Sequence, residues 1–397
     1  MTDAPDAVLV VNAGSSSLKF AIYAGPARVA RGAIEYLGAS ARLETARDDG
    51  EPDTRPVDAA TIADALQIAL GWIEYEFPDL DFAAVGHRIV HGGTRFHAPA
   101  VLDAATLDEL EALDPLAPLH QPFALAVARQ LLARFPQALA VGCFDTAFHS
   151  GWDDVAQRLA LPRRFHDAGL RRYGFHGLSC EYLSARVREL APRAGRVVLA
   201  HLGGGSSISA VRDGRSVDST MGFSVLDGVP MATRCGEIGA GAIFHLHRQH
   251  DLGFDAIEHM LYYDSGLTGV SAFSGDMRAL LADGGEPARQ AVALYAHRCT
   301  AAIGAMTALL GGIDALVFSG GVGAHAGAVR ESICRPLRFL GIAVDAAANA
   351  ANAPCVSPAD SAVPVFALVT DEEGVIARHC RAQLSVRNAG RSVAGRA

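Results

Sequence analysis

An α/β fold built twice is what this 397-residue sequence predicts, and three stretches carry the prediction. Residues 8–23, VLVVNAGSSSLKFAIY, read as strand, Gly/Ser turn and returning strand. Val8 to Val11 run apolar into the turn, after which Leu18, Phe20 and Ile22 alternate with Lys19, Ala21 and Tyr23. Residues 196–211, RVVLAHLGGGSSISAV, repeat that grammar, so each half carries one such unit. A third Gly-rich turn, SGGVGAH from Ser319 to His325, follows an apolar strand, Ala315 to Phe318, and precedes a helical pattern starting near Ala328. Gly/Ser turns at strand ends expose N–H groups and hydroxyls with no bulky Cβ in the way, which suits a phosphate. A P-loop is excluded, because GxxxxGK[ST] is absent and period two continues beyond the first turn.

Half of the residues are hydrophobic, as in a globular chain long enough for two filled cores. A formal charge of −9 argues against a nucleic-acid or anionic-membrane footprint, so the basic residues must act locally. No apolar run reaches the length of a membrane span, and MTDAPDA lacks the features of a signal peptide; a cytoplasmic protein is expected. Seven scattered cysteines, 143, 180, 235, 299, 334, 355 and 380, form no CxxC pair and read as reduced thiols. Of the 34 lysines and arginines a single one, Lys19, is lysine, and it sits beside the first turn. A compact ammonium meets a phosphate oxygen differently from a planar guanidinium, so this exception reads as functional.

In chain order, Asp58 to Glu74 carries Ile62, Leu66, Leu70 and Ile73 at helical spacing, and a short strand then ends in GHRIVHGG, Gly86 to Gly93. Thr106 with Glu109 reads as a capping box opening a helix that Pro115 and Pro118 close. The loop LAPLHQP leads into an Ala-rich helix ending near Phe135. The strand Ala138 to Phe144 delivers FDTAFH at its C-terminal end, where open α/β sheets bind ligands. The second half begins near Ser150. Its last strand, Val363 to Val369, delivers TDEEG, followed by a helix to about Leu384 and an aperiodic tail from Ser385. The expected domains are residues 1–149 and 150–374, with 375–397 packing back on the first.

Three Gly-rich turns with acidic residues at Asp145 and Glu372 suggest a nucleotide cleft of the actin-like kind, with carboxylates holding Mg²⁺ directly or through water. Arg88 and Arg234 are each flanked by small residues that leave room for an anion, and paired guanidiniums can clamp carboxylate and phosphoryl groups. His176, in RRYGFHG, has Tyr173 and Phe175 as apolar wall and glycines that permit close approach. His87 and His91 do not form HExxH and read as loop residues, and His245, His247 and His250 as an exposed helix face.

The stretches VLVVNAGSSSLKF, GHRIVHGG, LAPLH, FDTAFH, RRYGFHG, HLGGGSS and TDEEGVIAR follow one another as in the acetate and propionate kinase family, which this chain resembles from Val8 to about Leu384. The resemblance implies the acetate and sugar kinase, Hsp70 and actin fold, ATP or ADP as co-substrate, Mg²⁺ or Mn²⁺, acetate as phosphoryl acceptor and a homodimer. It makes Asn12, Ser15, Ser17 and Lys19 the first phosphate loop, with Asn12 near the transferred group. Arg88 and Arg234 resemble the pair gripping the acetate carboxylate and the transition-state oxygens, and His176 the histidine that meets the in-flight phosphoryl. His120 and His201 resemble supporting histidines, Asp145 the aspartate that positions the metal or the carboxyl group, and Glu372, with Asn12, the metal side. Val90, Leu119, Phe175 and Val225 match the methyl pocket. Gly203, Gly204 and Gly205, Asp276 and Arg278, and Gly320, Gly321, Val322, Gly323 and His325 match the nucleotide side. The family's GNG stands here as Gly203-Gly204-Gly205, its GIGEN as Gly321-Val322-Gly323-Ala324-His325, its pocket proline as Val225 and its GFHGTSH as GFHGLSC. A propionate or other short-chain kinase, an unusual phosphoryl donor, and an actin-like or chaperone-like ATPase remain as alternatives.

Overall fold

The computed structural model describes residues 7–394 apart from 15, 16, 39, 49 and 119. The described chain divides into two compact units, one made of the residues up to Ala147 together with those from Asp371 onward, the other of Phe148–Thr370.

The first unit holds β1 (Ala7–Ala13), β2 (Ser17–Ala24), β3 (Ala27–Glu35), β4 (Arg42–Arg47), β5 (Asp53–Pro56), β6 (Phe82–Ile89), β7 (Ala100–Val101) and β8 (Leu139–Phe144). They form one sheet in the order β5-β4-β3-β2-β1-β6-β8-β7. β1 pairs antiparallel with β2, Asn12 opposite Lys19, and parallel with β6; β6 pairs parallel with β8. The second unit holds β9 (Arg196–Leu202), β10 (Ser206–Arg212), β11 (Arg215–Ser219), β12 (Ala315–Ser319) and β13 (Val365–Ala367), in the order β11-β10-β9-β12-β13. β9 is antiparallel to β10, β10 to β11, and β9 and β13 flank β12 in parallel. The sequence β3-β2-β1-β6-β8 in one unit thus has the order and polarity of β11-β10-β9-β12-β13 in the other. The repeated strand–turn–strand units are the second and central strands of two copies of one sheet.

β1 and β9 are buried almost throughout, which is why both read as unbroken apolar runs. In the first unit Leu9, Val11, Leu18, Phe20 and Ile22 pack with Leu66, Leu70 and Ile73 of the helix Ile62–Glu76. In the second, Val198, Ala200, Ile208, Leu316 and Phe318 pack with the helix Glu286–Leu310, while Val197, Leu199 and Val317 meet the helix Gly177–Leu190 on the opposite face.

Several sequence expectations are corrected. SGGVGAH is not a turn: Gly320–His325 winds into a short helix directly after β12. It is tied down by Arg330, a fully buried arginine whose Nη1 donates to the Gly323 carbonyl at 2.8 Å while Asn349 and Asn352 take its other hydrogens. The helix Ala104–Glu111 is capped by Asp103, whose carboxylate accepts from the Thr106 N–H at 2.8 Å, and Glu109 pairs with Arg95 instead of closing a box. The true capping box is Thr61 with Asp64, so the first helix starts at Ile62, later than the periodicity indicates. His87 lies inside β6, not in a loop. The last helix runs through Glu372–Ala394, taking in the stretch from Ser385 that reads as an aperiodic tail. His245 and His247 do lie on a helix, Ala240–Gln249, which buries none of its residues within this chain.

Candidate active site

Three adjacent parallel strands of the first unit end on functional groups. Asn12 is the penultimate residue of β1, Arg88 of β6, and Asp145 follows β8 directly. Arg88 turns one edge of its guanidinium onto Asp145, Nε at 3.1 Å and Nη2 at 2.7 Å from Oδ2, and donates from Nη1 to Asn12 Oδ1 at 3.3 Å. Glu372, opening the last helix, brings Oε2 to 3.9 Å from Arg88 Nε. Asp145 is 2% exposed. Burial alone would lower the Arg88 pKa, but Asp145 and then Glu372 outweigh it and hold the guanidinium more firmly charged than usual.

A cavity of about 230 Å³ opens on Asn12, Ser17, Lys19, Arg88, Val90 and His120. Lys19 is exposed on β2, and the Glu373 carboxyl, raised by burial and then by Glu372, is partly offset by it. Ser15 and Leu119 lie outside the described residues. Two residues missed by sequence reading shape this end of the sheet. Gln121 accepts from the His91 N–H at 3.1 Å and donates to the His91 carbonyl at 3.0 Å, and Thr146 Oγ1 accepts from the Gly92 N–H at 3.0 Å, so the loop carrying Val90 is tied on both sides. Gln121 directly follows His120 in LAPLHQP, and Thr146 lies inside FDTAFH; position within those motifs was the available signal. Burial pushes the His87 and His91 imidazoles down to about 4, so both are neutral structural groups near pH 7. Among the described residues no group of three or more His, Cys, Asp or Glu is arranged to hold a metal.

In the second unit His176 adopts the left-handed conformation, φ 57°, at the start of the helix Gly177–Leu190. Its Nδ1 lies 2.9 Å from Ser207 Oγ, and its ring stacks on His201 with centroids 4.5 Å apart. His201, near the end of β9, has Nδ1 2.8 Å from Ser179 Oγ. Phe175 and Val225 are buried. Arg234 donates from Nη1 to the Val225 carbonyl at 2.7 Å. At Gly205 a Cβ would lie 2.7 Å from Arg234 Nη2 and 3.2 Å from His176 Nε2, so the glycine is what lets the guanidinium and the imidazole converge on the second turn. Arg234 differs from Arg88 in one respect: no carboxylate pairs with it among the described residues. Burial lowers its pKa to about 10, against which the Tyr262 phenol is a minor opposing influence.

The nucleotide-side residues gather in part. A Cβ on Gly203 would stand 3.8 Å from the Gly321 amide, so the second turn and the Gly320–His325 helix are neighbours. The Ala232 N–H reaches the Gly204 carbonyl at 3.4 Å. Gly275, beside the Asp276 cap of the helix Met277–Asp283, packs on Ala232. Arg278 spends its guanidinium on Asp276 at 3.0 Å and is otherwise exposed.

The sequence model of the Acetokinase family matches residues 7–378. This chain belongs to that family. The acetate kinase of Methylocella silvestris is 44% identical over 394 residues, covering 95% of this chain and 98% of the relative. The acetate kinase of Rhizobium meliloti is also 44% identical, covering 97% and 100%. Among solved structures, a propionate kinase from Francisella tularensis superposes with a TM-score of 0.87 at 30% identity over 94% of this chain and 98% of that one. Porphyromonas gingivalis acetate kinase gives 0.83 at 33% identity over 95% and 99%. For an acetokinase, the duplicated five-strand order described above is the α/β architecture shared with these relatives.

Proposed function

We propose that this chain transfers the γ-phosphoryl group of ATP reversibly to acetate, giving acetyl phosphate and ADP. An acetate oxygen attacks the γ-phosphorus in line, the bond from that phosphorus to the bridging oxygen breaks, and its electron pair leaves with ADP. Acetate is already an anion at neutral pH, so no general base is needed, and catalysis reduces to positioning and charge neutralisation. The observation that carries this reading is Arg234, a partly buried guanidinium with no carboxylate partner among the described residues, meeting His176 across Gly205. A fixed cation in that state suits an incoming anion. Arg88 serves the carboxylate and the equatorial oxygens, Asn12, Ser17 and Lys19 the first phosphate loop, and Gly203 to Gly205 with Gly320 to His325 the nucleotide.

The carboxylates of Asp145 and Glu372 and the side-chain oxygen Oδ1 of Asn12 are hard donors grouped about Arg88, and one or two such ligands, with water and phosphate completing the shell, would suit Mg²⁺ or Mn²⁺. When bound, the ion supplies further neutralisation of phosphate charge. Val90 in the first unit and Phe175 and Val225 in the second are each buried and apolar, as a contact with a short alkyl group requires, and the relatives' names, acetate kinase and propionate kinase, make acyl length the open choice. A homodimer is supported by the unburied helix Ala240–Gln249 together with exposed Phe244, Phe254, Tyr263 and Phe273. The free cysteines agree with a cytoplasmic location.

The test is trapping of acyl phosphate as the hydroxamate, with ATP and acetate, propionate or butyrate. Acetate is expected to give the highest kcat/KM. ATP hydrolysis without hydroxamate from any acid would overturn the reading in favour of an actin-like ATPase. Lys19→Arg is expected to raise KM for ATP several-fold, since a guanidinium cannot reproduce a point-charge contact. Unchanged kinetics would remove Lys19 from the phosphate loop.

A further inference from the structure

His149, the last residue of FDTAFH, is 1% exposed and has no part in the transfer described above. Its Nε2 lies 2.9 Å from the Phe175 carbonyl and its Nδ1 2.7 Å from Ser216 Oγ, which also lies 2.7 Å from Trp152 Nε1. For a neutral imidazole, donor chemistry orders this chain. An indole N–H only donates and a carbonyl only accepts, so Ser216 Oγ takes the Trp152 hydrogen and passes its own to His149 Nδ1. His149 is then the Nε2–H tautomer, donating to Phe175. Burial, the dominant influence, pushes this imidazole down to about 4, so it is neutral near pH 7. The side chain also packs closely against the chain ahead of His176: a Cβ on Gly174 (φ 79°) would stand 2.5 Å from His149 Cγ. Phe175 is thus held by its carbonyl, with Gly174 packed against the His149 side chain before it and the left-handed His176 after it.

We propose that His149 is a positioning residue that fixes the Phe175–His176 peptide, and through it the His176 imidazole, by donating Nε2–H to the Phe175 carbonyl while Ser216 and Trp152 hold its tautomer. The proposal rests on the reading that His176 serves phosphoryl transfer, and the experiment separates the two. His149→Leu removes the donor at similar volume and is expected to lower kcat on the order of 10-fold, with KM for acetate and ATP within about twofold. His149→Gln, whose amide N–H can reach the same carbonyl, is expected to recover most of that loss. In a His176→Ala background His149→Leu should lower kcat no further, because it acts through the residue already removed.

A folded His149→Leu enzyme with wild-type kcat, or one whose loss adds in full to that of His176→Ala, would overturn the positioning role while leaving the transfer reading intact. Wild-type kcat in His176→Ala would instead overturn the transfer role of His176. Should His149→Leu not fold, ¹⁵N-histidine spectra of the full-length wild-type protein decide. The Nε2–H tautomer, assigned against His149→Gln, supports the proposal, and an Nδ1–H tautomer refutes it.

Discussion

Arg88→Met is expected to lower kcat on the order of 10²-fold or more, by analogy with loss of one preorganised transition-state donor, and to lower stability as well. The second effect follows from the partners. Asp145 is 2% exposed, and the Nε and Nη2 edge of Arg88 holds its carboxylate; without the cation that charge stays buried and loses its ion pair. Breaking a buried pair from one side costs about 3 kcal/mol or more, and the partly exposed Arg88 side chain places this pair at the lower end. Denaturant titration should show the midpoint falling with an unchanged slope. Arg88→Lys keeps the charge but cannot span Asp145 and Asn12 together, so it should regain stability more than turnover. Turnover of Arg88→Met within about twofold of wild type would remove Arg88 from the chemistry.

How legible this molecule was depended on whether a feature is local. β1 and β9 announce themselves because both are buried, leaving no polar alternation to disguise them. β3, β4 and β5 went unread. β5 is exposed throughout and has no core face, and β4 alternates buried Leu43 and Thr45 with exposed Arg42 and Glu44 over only four residues, a run too short to stand out without the pairing along the sheet. The Gly320–His325 helix reads as a turn in the sequence because three of its residues are glycines of poor helix propensity; Arg330, in the following helix Gly327–Cys334 and clamped on the Gly323 carbonyl, supplies what propensity does not. At the site, Asn12, Arg88 and Asp145 could be found because each stands at the end of an apolar strand, within a stretch shared with the family. Gln121, Thr146, Ser179, Ser207 and His149 could not. Each acts through hydrogen bonds to a loop or ring that the fold alone brings within reach, and an isolated serine or glutamine leaves no periodic trace. The motif boundaries FDTAFH and LAPLHQP contained three of these residues without indicating which atoms they would hold.

Arg234→Met should behave in the opposite way to Arg88→Met in stability while matching it in activity. Turnover is expected to fall on the order of 10²-fold or more, since a transition-state cation is again removed. Stability is expected to hold or rise. Arg234 sits where burial lowers its pKa to about 10 and no described carboxylate compensates, so the charged form is less at ease folded than unfolded. The sign follows: the folded pKa is depressed for a base, so the charge opposes folding at every pH below about 10, and the penalty is relieved only as pH rises through that value. Methionine, unbranched and adaptable, removes the penalty while filling much of the space. The offset is the bond to the Val225 carbonyl, about 1 kcal/mol. The thermal midpoint of Arg234→Met at pH 7 should therefore equal or exceed that of wild type, with the advantage shrinking above pH 10. ATP with acetate should raise the wild-type midpoint more than the variant's, because stabilisation by a ligand follows its affinity for the folded state. A variant that unfolds as readily as Arg88→Met would show that Arg234 is held for structure, and one that keeps its turnover would show that the uncompensated cation is not where the anions meet.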